Sequence, residues 1–384
     1  MKRLTMILCI AVLACSAPAL AAQDPPEVEE LYASINAIRA QAGLPALVLD
    51  PLLSEGCQQH ARYMVANRGT PAMAGLNAHH QRPELPGASP AGAECAAHAV
   101  LAPGTADLAS ALRAWMGGLY HRRPFLSPRV HRMGVGFAPL PEGGIMAALM
   151  LPEDPSNDTS RWPTLWPVNG QTNVPLEFGT EVPNPIPGGG NIGGYPVTLF
   201  LPDQKPVGIK SATLTANDQE VPVYLSSPAA PVTEFSRYGV VSLIPKEPLL
   251  PGTVYHVRIV TELAGRTSTV TSSFRTVELA EVAADDPAAM SRAVGVPSRV
   301  VGRVAHAGRM PDGTVYLQLT TGNRGAMVSV MVGPQLWLEL ARNADPLSWR
   351  DHHLQVEATP QRVGSKYINL PVGAPRQLKV ASGV

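Results

Sequence analysis

His79, Glu94 and His121 are the residues of this sequence whose types and setting best suit chemistry. Six of the ten histidines fall between Gln23 and Met150, and His121 sits in the most distinctive stretch of that region. It reads Trp115-Met-Gly-Gly-Leu-Tyr-His121-Arg-Arg-Pro-Phe-Leu-Ser-Pro128, then Met133-Gly-Val-Gly-Phe137. His79 and Glu94 each fall in a Gly/Pro-rich segment that reads as a loop. Two imidazoles and a carboxylate converging from separate segments can hold a divalent metal such as zinc with one position open, or move protons. The same three groups can instead hydrogen-bond one another and tie cleft loops together. No Ser or Cys stands in a recognisable nucleophile setting, and there is no His-Glu-x-x-His helix, which disfavours those two routes to hydrolysis.

The elements that must position these residues occupy 25–150. Pro26 opens a helix, Glu27, Glu29 and Glu30 suit its first turn, and Leu31, Ile35 and Ile38 recur at helical spacing before Gly43 ends it. A second helix starts near Asp50-Pro51 with Leu53, Cys57, Ala61 and Met64 on its apolar face. A third covers 105–120, with Leu108, Leu112 and Trp115 aligned. Strand-like runs follow at 133–138 and 144–151. Helices against a short sheet make this unit α+β.

Several segments here resemble a known family. Ile35-Asn36-Ala-Ile-Arg39-Ala-Gln-Ala-Gly43-Leu-Pro45-Ala-Leu47 is similar to the opening helix of the CAP superfamily, which groups cysteine-rich secretory, antigen 5 and pathogenesis-related proteins. Leu53-Ser-Glu-Gly-Cys-Gln-Gln-His60-Ala61-Arg-Tyr-Met64 resembles its second helix. His121-Arg122 through Leu126-Ser-Pro128 and Gly134-Val-Gly136 resemble its bacterial ending. The resemblance implies an α-β-α sandwich with a cleft carrying two histidines and one or two glutamates. His79 and His121 take the histidine places and Glu94, in Gly92-Ala-Glu94-Cys95, takes a glutamate place. That loop departs from the family's Gly-Glu-Asn. The helix before His121 also lacks the glutamate of many members, because Trp115 is followed by Met-Gly-Gly. The expected set is therefore three residues.

The other histidines read differently. His60 packs beside the cleft, His80 is a register alternative to His79, and His98 and His131 belong to the surface. Arg122 and Arg123 flank the cleft, where they either hold an anion or sit solvated.

The compartment is read from the start of the chain. Lys2 and Arg3, the apolar run 4–14 and the small residues Ala19 to Ala22 form an export signal over 1–22. Acylation at Cys15 is the minor alternative. No later run is long and apolar enough to span a membrane. Removal of the leader leaves Cys57 and Cys95, which in an oxidising compartment form one disulfide or else stay as two buried thiols. A bridge would pin the segment carrying Glu94. The 30 basic and 30 acidic residues carry no electrostatic footprint for nucleic acid or an acidic membrane.

Downstream, short strands between Pro/Gly-rich turns at 162–278 resemble an Ig-like β-sandwich. An Ala/Glu/Asp-rich segment at 279–297 reads as a linker, helical in part. Residues 298–380 read as five strands with a helix at 334–342, which resembles a small OB-like β-barrel. Ten Lys/Arg against five Asp/Glu from Arg299 to Lys379, with Tyr316, permit nucleic-acid contact, but export and sparse aromatics argue against it. The whole is multidomain. Its expected function is that of an exported, periplasmic or extracellular binding protein whose cleft takes a metal or a small or lipidic ligand, lipid binding being a property linked to the family. The alternatives are a peptidase-like hydrolase using His79, Glu94 and His121, and adhesion to an envelope component through the downstream modules.

Overall fold

The structure is a computed structural model that describes residues 25–154, 162–179, 181–190, 193–202, 208–237, 239–263, 265–320, 325–342 and 344–381. The leader read at 1–22 and most of the linker read at 153–160 lie outside the described residues.

The first unit runs α1 (Pro26–Gln41), β1 (Val48–Leu49), α2 (Pro51–Ala66), α3 (Pro90–His98), β2 (Ala99–Thr105), α4 (Leu108–Gly117), β3 (Arg132–Pro139) and β4 (Ile145–Met150). Proline starts the first three helices, and Asp50, Ser89 and Asp107 cap α2, α3 and α4 by accepting backbone N–H groups. The strands order as β1-β3-β4-β2. Alternation along them separates two faces. Val100, Ala102, Ala147 and Leu149 pack with α1 and α4, while Ala99, Leu101, Ala148 and Met150 pack with α2 and α3. The unit is thus three layers, helix on sheet on helix.

Two contacts tighten those layers. Gly134 and Gly136 of β3 face α2 where no side chain fits: a Cβ on the first would collide with Leu53, and one on the second with the Gln58 amide. The Gly-Val-Gly motif is therefore a packing requirement. On the other side, Arg39 of α1 is fully buried and donates to the carbonyls of Pro45, Phe125, Ser127 and Val130. Burial pulls its pKa down to about 10, so it stays charged at neutral pH while holding the 125–130 segment.

The second unit has two sheets. One orders Val223–Ser226, Val240–Pro245, Val197–Phe200 and Thr164–Trp166; the other orders Gln171–Val174, Arg266–Thr276, Val254–Leu263, Gly208–Ala216 and Gln219–Glu220. The short strands expected between turns over 162–278 are present, in two paired sheets. Leu112, Trp115 and Leu119 of the first unit belong to the same continuous core as Trp166, Phe178 and Tyr195 of the second. The two units share their interior.

The third unit has its own core around Leu317, Trp337 and Val356. Its sheets order Ala280–Ala283, Ser298–Arg303, His353–Ala358 and Leu378–Val380, and His306–Arg309, Val315–Gln318, Met327–Val332, Tyr367–Val372 and Gln361–Val363. It therefore differs from the five-strand reading. The segment read as a linker at 279–297 also differs. It carries strand Ala280–Ala283, paired parallel with Ser298–Arg303, and helix α5 (Pro287–Ala293), capped by Asp286. Ala284 and Met290 anchor it in the third core, apolar side chains that its acidic composition masked. The helix read at 334–342 is α6 (Pro334–Ala341). Gln377 joins this unit to the second, donating from Nε2 to the Glu357 carbonyl and the Glu177 carboxylate.

Cys57 of α2 and Cys95 of α3 form a disulfide across 38 residues of sequence. Closing a loop of that length stabilises by about 4 kcal/mol through the entropy of the unfolded chain. The Cys57→Ala/Cys95→Ala variant is expected to lose stability of that order in urea unfolding monitored by circular dichroism.

Candidate functional site

His79 closes the short 3-10 helix Gly75–His79 and is half-buried. Its Nδ1 lies 3.0 Å from the Ala96 carbonyl. That carbonyl is in the last turn of α3, where helix acceptors have no amide left to bind. A carbonyl only accepts, so Nδ1 carries the proton and Nε2 keeps its lone pair. Ala96 adjoins the disulfide cysteine, so the bridge to α2 fixes the acceptor that orients His79. Burial lowers the His79 pKa below its ordinary value against the pull of the Ala96 carbonyl, and the nearby His121 lowers it further.

His121 is held from outside the first unit. Its Nδ1 lies 2.9 Å from Oε2 of Glu181, a residue 60 positions downstream. The Glu181 side chain is 1% exposed and that of His121 21%. The carboxylate also accepts the backbone N–H groups of Leu119 at 2.6 Å, Tyr120 at 3.0 Å and His121 at 3.2 Å. Sequence reasoning missed Glu181 altogether. One local trace of it exists in Gly117-Gly118. A Cβ on Gly118 would stand 2.5 Å from Glu181 Oε2, and one on Gly117 would stand 3.2 Å from Gly179. The glycines that displace a glutamate from the helix before His121 make room for one arriving from elsewhere.

Arg122 makes the reverse crossing. It is fully buried, unlike the flanking position expected for it. Nε and Nη2 donate to the Met116 carbonyl at the end of α4, and Nη1 donates to the Pro196 carbonyl and Thr198 Oγ1 of the second unit. Its guanidinium lies 4.4 Å above the Tyr195 ring, whose hydroxyl also donates to Met116. Burial depresses its pKa, opposed by Tyr195 and by Glu181. Arg123 pairs with Glu153 at 3.6 Å. Tyr120, beside His121, hydrogen-bonds with Thr233 and packs on Phe235, so a second-unit loop also borders the site.

Glu94 stands apart. Its segment is the helix α3, not a loop, because Ser89-Pro90 caps and starts it. Cys95 and Ala96 take the inward face at 0% exposure. Glu94 points outward, 67% exposed, and pairs with His98 at 3.4 Å one turn on. His80 and His131 are exposed. His60 is fully buried, and its Nδ1 lies 3.1 Å from the Gln81 amide nitrogen. Gln81 Oε1 accepts the Ser89 N–H, so its amide nitrogen donates to His60. Burial, with His79 nearby, lowers the His60 pKa to about 4.

Among the described residues, no group of three or more His, Cys, Asp or Glu side chains is arranged to hold a metal ion. Glu94 faces solvent and the Glu181 oxygens are engaged by N–H donors. The donors left to a ligand are Nε2 of His79 and Nε2 of His121.

Residues 32–148 match the model of the cysteine-rich secretory protein family, CAP. The chain therefore carries a CAP domain containing His79, Glu94 and His121, with Glu181 beyond its end. Among solved structures, an outer surface protein from Borrelia burgdorferi is similar at 18% identity, over 33% of this chain and 93% of that one, with a TM-score of 0.26. A search of the curated proteins finds no match. No helix among the described residues is long and apolar enough to cross a membrane.

Two expectations follow from this geometry. The unfolded chain protonates His60 below pH 6.5, whereas the folded chain refuses that proton until about pH 4. Stability should therefore fall by roughly 3 kcal/mol as pH drops through this window. Urea midpoints at pH 7, 5.5 and 4 measure it, and His60→Gln should flatten that part of the slope. Gly118→Ala should cost about 2 kcal/mol by forcing Glu181 out of its seat, read as a lowered urea midpoint at pH 7.

Proposed function

We propose that the protein is an exported CAP-domain binding protein whose cleft presents Nε2 of His79 and Nε2 of His121 to a ligand, a divalent metal ion of the zinc type first. The observation that carries this reading is that each ring has its Nδ1 on an acceptor, the Ala96 carbonyl for His79 and the Glu181 carboxylate for His121. Metal-binding imidazoles are oriented in this way, with the second nitrogen hydrogen-bonded and the first left basic. A depressed pKa supports it for His79, which must be neutral to act as a donor. Zinc prefers imidazole nitrogen, and two protein donors leave positions for water or for an acidic group of a further ligand. Bound there, the ion would supply a Lewis acid. Glu94 has no part in this set, since it faces solvent and pairs with His98.

A hydrolase reading gains less. Among the described residues, neither ring is hydrogen-bonded to a serine or cysteine side chain. Export rests on the leader-like composition of 1–22 and on the disulfide, a bond at home in an oxidising compartment. The Ig-like and OB-like readings of 162–278 and 298–380 rest on paired β-sheets in each region, and the role proposed for them is to carry and complete the cleft.

Zinc titration by calorimetry at pH 7.5 tests the reading. The wild type should release or absorb heat with saturation at one ion per chain, and His79→Ala/His121→Ala should show none. Equal heats for the two proteins would remove metal binding from the cleft.

A further inference from the structure

We infer that Glu181 is a positioning residue for the cleft, supplied by the chain beyond the CAP domain, and that it decides which nitrogen of His121 meets a ligand. This deepens the metal-binding reading above and rests on it for the identity of the ligand.

Glu181 Oε2 lies 2.9 Å from His121 Nδ1. Oε2 already accepts the backbone N–H groups of Tyr120 and His121, so it stands to the ring as an acceptor. The proton on the neutral ring must then sit on Nδ1, which leaves the Nε2 lone pair for the cleft. Removing the carboxylate removes the reason for that tautomer, since neutral imidazole in water favours the other one modestly. Nothing within the CAP segment replaces it: α4 ends in Met116-Gly117-Gly118, and Glu94 points away on α3. The site is thus incomplete in the CAP domain alone.

Several contacts hold Glu181 where it is. Gly118 supplies the space, the Gly179 N–H donates to the Gly117 carbonyl at 3.1 Å, and the buried Arg122 places its positive charge near the carboxylate. Arg122 is in turn seated on Pro196 and Thr198. The docking of the second unit and the orientation of His121 are therefore one arrangement. A residue of this kind acts through another, and its loss should register in the ring it orients before it registers in the fold.

The test uses the full chain, with imidazole nitrogens labelled with 15N and spectra recorded at fixed pH 7.5. In the wild type, His121 should show the Nδ1–H tautomer, as should His79. Glu181→Ala removes the acceptor altogether. His121 should then shift to the Nε2–H tautomer that imidazole favours in water, while His79 keeps its tautomer as the internal reference. Zinc affinity should fall by roughly tenfold to a hundredfold, the usual effect of removing an outer partner of a metal-binding histidine. Glu181→Asp, which keeps a carboxylate, should recover part of both signals. An Nε2–H tautomer in the wild type would overturn the inference, and that measurement needs no variant to fold. An unchanged His121 tautomer in a folded Glu181→Ala protein, with zinc affinity within twofold, would overturn it as well. If the tautomer switches but the wild type takes no zinc, the positioning role stands and the metal-binding reading fails.

Discussion

A buried cation and a buried anion cross the boundary between the first two units in opposite directions. Arg122 leaves the CAP domain to donate into the second unit, and Glu181 returns from beyond the domain to accept three N–H groups and an imidazole N–H. Neither charge tolerates burial without its full set of partners, because desolvation of an ion outweighs any single hydrogen bond. Each unit therefore supplies what the other's buried ion requires. The continuous apolar core beneath the pair removes water and makes that requirement stringent.

The same economy of buried polar contacts runs through the rest of the site. Arg39 gathers carbonyls from the segment that follows His121, which keeps that segment from unravelling toward solvent. The disulfide sets α3 against α2 and so sets the Ala96 carbonyl under His79. His60 and Gln81 form a neutral pair beneath, and His60 is kept uncharged by burial. The two cleft histidines are thus oriented by different means, one by a helix end within the CAP domain and one by a carboxylate from outside it.

Much of the first unit was legible because its signals are local. Helical spacing of Leu31, Ile35 and Ile38 located α1, and Asp50-Pro51 located the start of α2. The ordered segments around His60, His121 and Gly134 pointed to the family whose model matches 32–148. Of the two readings of Cys57 and Cys95, bridge or buried thiols, the bridge is the one formed. Other readings failed where composition hid a local rule. Gly and Pro around Glu94 suggested a loop, although Ser89-Pro90 is a helix start, and the acidic 279–297 segment, read as a partly helical linker, concealed the strand Ala280–Ala283.

The kind of chemistry available is legible along the chain: imidazoles on defined segments and one cysteine pair. Tertiary structure decided which groups meet. Glu181 lies 60 residues from His121 and carries no motif, so no spacing rule connects them. Arg122 looked like a surface residue until the second unit covered it. Met-Gly-Gly before His121 read as a missing glutamate, whereas in three dimensions the two glycines are the opening through which a distant one enters. Local pattern encodes secondary structure through short-range sterics and periodic burial, but the partner of a buried charge is chosen by where the chain returns.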